Sequence, residues 1–335
     1  MPLDKERVVV FQTTRYLGDF LLTLPSVRRI AESGSEPILF ADMRFALLAE
    51  LVGCQVIYTE KDAGGNTPAG MAASVSAIKG AKPGAALLTH KSHRNAMMAF
   101  LCGIPLRVGF ADSQARALYT HRVAYDRGVH EVVRFQGLLV PVGLEPSLVR
   151  CEMWFPGRDA ALGAGEKLGL ATPYAVIAPG ASWAVKRWPV ARHAEVCSWL
   201  AEKGLSVVIS GGKADQGIAG ELARLAPRAV NLAGRLGLLE FMGLVARASI
   251  VISGDSAPVH AAGCFDIPTV AIYGPTVKEM GFWPLSRASA IAEIPMDCRP
   301  CKARAERRCP LGHHDCMEKL THEMVTKAVK GVLGW

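Results

Sequence analysis

Tyr174-Ala175-Val176-Ile177-Ala178 is a run of five apolar residues that stops on Pro179-Gly180. A run of this length suits a buried strand and is too short for a helix, and the Pro-Gly pair ends it in a loop. The arrangement recurs at Ser206–Ser210, Ile250–Ser253 and Thr269–Tyr273, and all four runs pass directly into a loop containing Gly or Pro. Toward the N-terminus, Arg7–Gln12 (RVVVFQ), Pro37–Phe40, Gln55–Tyr58, Ala85–Thr89 and Arg107–Phe110 are further strand candidates. Between them apolar residues recur at helical spacing, as Phe20, Leu21, Leu24 and Val27 do within Gly18–Ile30, and Asn95–Cys102 reads as another helix. Short apolar strands alternating with amphipathic helices predict an α/β protein with parallel sheets covered on both faces. Two successive open sheets of this kind place ligand sites at the C-terminal ends of their strands.

At 335 residues the chain exceeds what one hydrophobic core usually supports, so two domains of about 150 residues are expected. The junction is expected between Cys151 and Thr172, where the helical Asp159–Leu168 follows Phe155-Pro156-Gly157. A net charge of +8 suits anionic partners such as nucleotide diphosphates, nucleic acid or an acidic membrane surface. No base-reading motif or basic-aromatic stripe accompanies that charge, so nucleic acid is not expected as a partner. The charged start, Met1 to Arg7, precedes an apolar run of only about five residues, shorter than a signal peptide needs. No stretch approaches the ~20 apolar residues of a membrane span, and the expected location is the cytoplasm. Of the nine cysteines, Cys54, Cys102, Cys151, Cys197 and Cys264 stand among apolar neighbours and read as small core residues.

The loops that follow the strands form an ordered series. Gly18-Asp19 has Leu24-Pro25 after it, and Gly103-Ile104-Pro105-Leu106-Arg107-Val108-Gly109-Phe110 comes next. Ala178-Pro179-Gly180-Ala181-Ser182 leads to Lys186-Arg187-Trp188-Pro189. Asn231-Leu232-Ala233-Gly234-Arg235, Gly254-Asp255-Ser256-Ala257-Pro258-Val259-His260 and Gly274-Pro275-Thr276 complete the set. Together, and in this order, they resemble the heptosyltransferases of glycosyltransferase family 9. The resemblance implies the GT-B fold, two Rossmann-like doubly wound domains facing a central cleft. Residues 1–155 would form the N-terminal acceptor-binding domain and 170–316 the C-terminal nucleotide-sugar-binding domain, with 317–335 a helix packing back on the N-terminal domain. It further implies transfer of heptose, with inversion, from ADP-heptose to the lipopolysaccharide inner core. The partners would then be a nucleotide-sugar donor, an anionic lipid-linked sugar acceptor and, peripherally, the inner membrane surface.

Each motif also has a physical reading of its own. Asp19 begins a helix after a strand and loop, where a carboxylate accepts backbone N–H bonds and complements the helix dipole. Crevice chemistry also sits at that edge, and inverting transfer needs a base for the acceptor hydroxyl proton. The resemblance assigns that catalytic role to Asp19. No Asp-x-Asp pair is evident to hold a metal against the diphosphate, so no cofactor is expected for catalysis. Positive charge and donors must then come from the protein. Lys186, six residues after Gly180 with Ser182 between, supplies both in the loop after a strand. A solvated lysine beside Arg187 is the alternative, and the resemblance favours a catalytic and donor-binding Lys186.

Gly254-Asp255-Ser256-Ala257 is a strand-to-helix turn of small residues, with amides free at a helix N-terminus for an anion. Ser256 adds a hydroxyl, and His260 lies one helical turn later on the same face. A histidine in such a setting is more often structural. The family pattern carries Gly where this chain has Ala257, which narrows the turn. Met242 borders an adenine on one reading and is a core helix residue on the other.

His90, Lys91 and Arg94 make a basic loop after a strand that either receives an anionic acceptor or is solvated surface. His130, Glu131 and Arg134 begin another helix in the same half. Cys298-x2-Cys301-x7-Cys309-x6-Cys316 reads either as a structural zinc site or as reduced structural thiols. Other functions on the same scaffold stay open from the sequence: transfer from a different nucleotide sugar, or nucleotide-sugar epimerisation.

Overall fold

The computed structural model describes residues 6–59, 67–145, 153–301 and 308–335. The chain forms two compact units, residues 1–157 and 158–335. In the first, six strands pair in parallel: β1 (Arg7–Gln12), β2 (Glu36–Asp42), β3 (Gln55–Thr59), β4 (Ala85–Leu88), β5 (Leu106–Phe110) and β6 (His121–Val123). Their order is β3-β2-β1-β4-β5-β6. The second unit repeats the arrangement with β7 (Tyr174–Ala178), β8 (Ser206–Ile209), β9 (Val230–Asn231), β10 (Ile250–Gly254), β11 (Thr269–Tyr273) and β12 (Ser289–Glu293), ordered β12-β11-β10-β7-β8-β9. Counted from the first strand of each unit, the two orders are the same. The α/β class expected from the alternating pattern is the class observed.

Central strands are apolar end to end because helices cover both faces of each sheet. Val8, Val9, Val10 and Phe11 of β1 and all of Tyr174–Ala178 are buried. Strands β6, β9 and β12 escape the sequence reading. Each lies at a sheet edge, has few or no buried side chains and therefore leaves no apolar run.

The division of the chain falls between Gly157 and Arg158, so the helix Arg158–Glu166 goes with the second unit. It packs on the helix Leu238–Ala246 through two glycines. A β-carbon on Gly165 would stand 2.5 Å from the Gly243 carbonyl oxygen, and one on Gly243 would collide with the Gly165 backbone and the Ala161 carbonyl. The glycines let the two backbones touch.

The C-terminal helix His322–Leu333 packs within the second unit. Its buried stripe, Val325 and Val329, belongs to the core of the second unit with Trp188, Leu200 and Leu320. It lies on β11, β12 and the helix Val190–Glu202, whose apolar surface would otherwise face water. Cys197 and Cys264 are buried and Cys54 and Cys102 half-buried, as small core residues; Cys151 lies outside the described residues. Among the described residues no helix is long and apolar enough to cross a membrane.

The glycine contact makes a direct prediction. Forcing a methyl into it should cost about 1–3 kcal/mol, so Gly243→Ala should lower the urea midpoint of unfolding. Gly163→Ala, on the facing helix Arg158–Glu166 with open space around its α-carbon, should be neutral or stabilising.

Candidate functional site

In an open parallel sheet the crevice forms where strand order reverses, because successive crossovers leave to opposite faces there. In the first unit that point lies between β1 and β4. The last residue of β1, Gln12, has no exposed surface. Its Oε1 accepts from the Thr14 amide at 3.1 Å, the Thr14 hydroxyl at 3.3 Å and His90 Nε2 at 3.0 Å, so His90 carries its proton on Nε2. Thr13 and Asn95 exchange hydrogen bonds at 3.1 and 2.9 Å. These buried contacts join the loop after β1 to the loop after β4 and its helix, His93–Leu101. Asp19 sits half-buried in the first turn of the helix Leu17–Glu32. It is the third helical residue; Tyr16 holds the cap position, so Asp19 is not the N-cap itself.

The basic loop is less open than its sequence implies. Lys91 pairs with Asp112 at 2.6 Å and lies 3.7 Å above the Tyr125 ring. Arg94 is half-buried and donates to Thr59 Oγ1 at 3.2 Å. His90 meets Phe135 edge-on at 5.5 Å. The neighbouring His130, Glu131 and Arg134 turn inward: His130 Nδ1 caps the helix Glu131–Gly137, and Arg134 pairs with Glu131 at 2.6 Å. Those three are structural.

In the second unit the reversal lies between β7 and β10. Lys186 leaves the loop after β7 and Asp255 the turn after β10, and their side chains meet with Nζ 2.7 Å from Oδ2. The pair is mostly withdrawn from water, at 19 and 10 % side-chain exposure. Arg187 points elsewhere, its Nε and Nη2 both donating to the Ala181 carbonyl at 3.2 and 3.1 Å. It braces the loop from within. Ser182 is exposed in that loop, and Gly180 lies so close to Asp215 that a β-carbon would overlap its carboxylate. Ser256 stands at the N-cap position of the helix Ala257–Phe265 without a side-chain capping bond, its Oγ 3.0 Å from Ser253 Oγ.

His260 follows one turn along that helix and is buried. Burial lowers its pKa to about 4; Lys186 adds to the shift and the Asp255 carboxylate opposes it. The ring is therefore neutral near pH 7 and offers hydrogen bonding without charge. Met242 has no exposed surface and packs in the core of the second unit from the helix Leu238–Ala246.

Residues 75–313 match the sequence profile of glycosyltransferase family 9 (heptosyltransferase). The chain belongs to that family. The lipooligosaccharide heptosyltransferase 2 of Campylobacter jejuni is 29 % identical over 161 residues, which are 46 % of this chain and 49 % of that one. The chain thus spans about half the length of that curated relative. Among solved structures, a family 9 glycosyl transferase of Veillonella parvula superposes with a TM-score of 0.84 at 21 % identity, covering 99 and 98 % of the two chains. The Escherichia coli ADP-heptose lipopolysaccharide heptosyltransferase II gives 0.77 at 19 % identity, covering 98 % of each. These two likenesses establish the shared GT-B fold.

The family 9 chain also gathers its C-terminal cysteines. Burial pushes the Cys316 thiol up to about 11, and the neighbouring Cys301, Cys298 and Cys309 push it the same way, so all four stand within electrostatic reach. The Cys309 thiol is lowered by the backbone amides of Leu311 to His314, which stabilise its thiolate, the metal-binding form. Among the described residues, however, no three His, Cys, Asp or Glu side chains converge closely enough to hold an ion.

Sequence reasoning missed Gln12, Thr13 and Asn95 at the strand reversal of the first unit, and Arg299 and His314 beside the loops of the second. Gln12 left one signal, a polar residue ending an otherwise apolar run. The others are matched only in space. His193, in the helix after the Lys186 loop, was also unremarked. It is wholly buried against Trp188, edge to face at 4.9 Å, and burial lowers its pKa to about 3. A histidine with a depressed pKa stabilises the fold above its unfolded value, about 6.5, and that stability is lost as pH falls toward the folded value. From pH 6.5 to 4.5 the loss is up to about 3 kcal/mol for such a group. Calorimetry should find that His193→Leu reduces the fall in Tm of the second unit across this window.

Proposed function

We propose that this chain is an inverting glycosyltransferase that moves heptose from ADP-heptose to the lipopolysaccharide inner core. The observation that carries the reading is the Lys186–Asp255 ion pair at the β7/β10 reversal, beside a helix N-terminus, in a chain of this family. An arriving diphosphate meets the Lys186 ammonium, the Ser256 hydroxyl and the amides of the turn, and Ser182 borders the same loop. Asp255 is itself an anion, so its part is to orient Lys186 and not to touch phosphate. His260 adds a neutral hydrogen-bonding group behind them.

In the first unit Asp19 accepts the proton of the acceptor hydroxyl as that oxygen attacks the anomeric carbon. The bond to the ADP oxygen breaks on the opposite face, which inverts the configuration. Lys186 meets the charge that builds on the departing diphosphate, so it stabilises the transition state more than the bound donor. His90 and Arg94 line the acceptor side, and Lys91 joins them by exchanging Asp112 for an acceptor phosphate. The net charge of +8 suits a chain working at the cytoplasmic face of the inner membrane, where its lipid-linked acceptor lies.

Asp19→Asn should cut turnover by about 10²–10⁴ and leave ADP-heptose affinity unchanged; a fall of only a few-fold would reduce the carboxylate to a dipole partner. Lys186→Ala should lower kcat by about 10²–10³ and weaken ADP binding, with Lys186→Arg restoring only part. Adding Asp255→Asn to Lys186→Ala separates the lost cation from a stranded carboxylate, and the double variant should stay slow. Arg187→Ala should do less. In a thermal-shift panel ADP-heptose should stabilise the protein more than UDP- or GDP-sugars.

The second part of the proposal is a structural zinc held by Cys298, Cys301, Cys309 and Cys316, supported by their spacing in the sequence. Four thiolates leave no open position, so such an ion supports the fold and takes no part in transfer. Metal analysis of purified protein should find about one zinc per chain, and transfer should survive brief exposure to EDTA. Metal-free protein with full stability would leave the cluster as reduced thiols. Activity lost to EDTA and restored by Mg²⁺ would overturn the leaving-group argument.

A further inference from the structure

Lys186 departs from a single tight turn, Ala184–Lys186, and the loop Gly274-Pro275-Thr276 after β11 offers small side chains that hold little. Within the Lys186 loop Arg187 donates to the Ala181 carbonyl, which leaves the Val185 peptide to be held by other elements. Both loops are gripped from outside by the C-terminal Cys-rich region. Arg299 Nε donates to the Gly274 carbonyl, the Cys301 amide to the Pro275 carbonyl at 3.0 Å, and Arg299 Nη2 to the Thr276 carbonyl at 2.7 Å. All three carbonyls of that loop are taken. Met317 fills the space over Gly274, where a β-carbon would come within 2.6 Å of its side chain.

The Lys186 turn is held in the same way. The Val185 carbonyl accepts from His314 Nε2 at 2.8 Å, and Trp188 Nε1 donates to the Leu320 carbonyl at 2.9 Å. Val185 directly precedes Lys186, so the imidazole fixes the peptide from which the lysine departs. Arg299 is itself locked: its remaining contacts are Glu293 and the Ile294 carbonyl, both at 2.5 Å, and its side chain is 4 % exposed. Its charge is spent inside the protein and cannot serve a diphosphate.

We infer that Arg299 and His314 are positioning residues for the donor site, through which the Cys-rich region holds the Lys186 turn and the Gly274–Thr276 loop in one arrangement. This rests on the donor reading above. A carbonyl brace of this kind works at the precision a site requires, where slack of about 1 Å is felt in binding and turnover.

Hydrogen exchange at the amides of Lys186 and Arg187, which bond to Trp183 and Ala184 within the turn, reads the brace without any ligand. In His314→Ala their exchange should rise by about tenfold or more, while Tm moves by no more than about 3 °C, the shift for about 1 kcal/mol in a domain this size. ADP binding should weaken about tenfold, equivalent to about 1.4 kcal/mol, and the donor KM should rise more than kcat falls. His314→Gln, which carries an amide donor to a similar reach, should recover most of both. Arg299→Lys, keeping the charge but not the fork, should loosen the Gly274–Thr276 loop alone. Unchanged exchange in His314→Ala, or a Gln variant no better than Ala, would overturn the inference. Raised exchange in a protein whose wild type does not bind ADP would overturn the donor reading and leave the brace standing.

Discussion

Parallel pairing is the constraint on which the rest of this structure depends. Two parallel strands cannot be joined by a tight turn, so the chain must cross over the sheet between them. Every strand then ends on the same edge, and every crossover begins there. Because crossovers pass to one face on the β1–β2–β3 side and to the other on the β4–β5–β6 side, the edge opens beside β1. The same reversal opens it beside β7 in the second unit. Within the first unit the loops after β1 and β4 are thereby brought side by side, and within the second unit those after β7 and β10. They are also the loops that carry Asp19, His90, Lys186 and Asp255.

A basic chain would be expected to present free cations, yet several of them are paired with acids. Lys186 is paired with Asp255, Lys91 with Asp112, and Arg134 with Glu131. In water such pairs contribute little, but a half-buried ammonium left without a counter-ion would carry its full desolvation cost. The acids hold each cation in one place. For Lys186 that arrangement converts a flexible side chain into a preoriented one, which lowers the ordering cost of binding.

Rigidity at the donor edge comes from far along the chain. The turn bearing Lys186 and the loop after β11 are held by Arg299, His314, Met317 and Leu320, and the helix that follows closes the core beneath them. The buried Trp188 joins these levels, with its indole N–H on Leu320 and its ring against His193. Loops are usually the least stable parts of a fold. Here the C-terminal region stiffens two of them with hydrogen bonds to carbonyls, so their own side chains remain available.

The sequence by itself determined the α/β class, the central strands and the loops that matter. Burial on both faces makes β1, β7, β10 and β11 continuous apolar runs, and the Gly- or Pro-bearing loops at their ends are local features of composition. Lys186 and Asp255 stood out one at a time in those loops, and so did the four cysteines. Only the tertiary structure decided that Lys186 and Asp255, 69 residues apart, form a pair. It alone withdrew Met242 into the core, turned Arg134 inward and set the C-terminal helix on the second unit. Edge strands β6, β9 and β12 stayed hidden because partial exposure removes the apolar signal. Arg299 and His314 stayed hidden for a different reason: their partners are backbone carbonyls, which every residue possesses, so no side-chain pattern marks the place where they will bind.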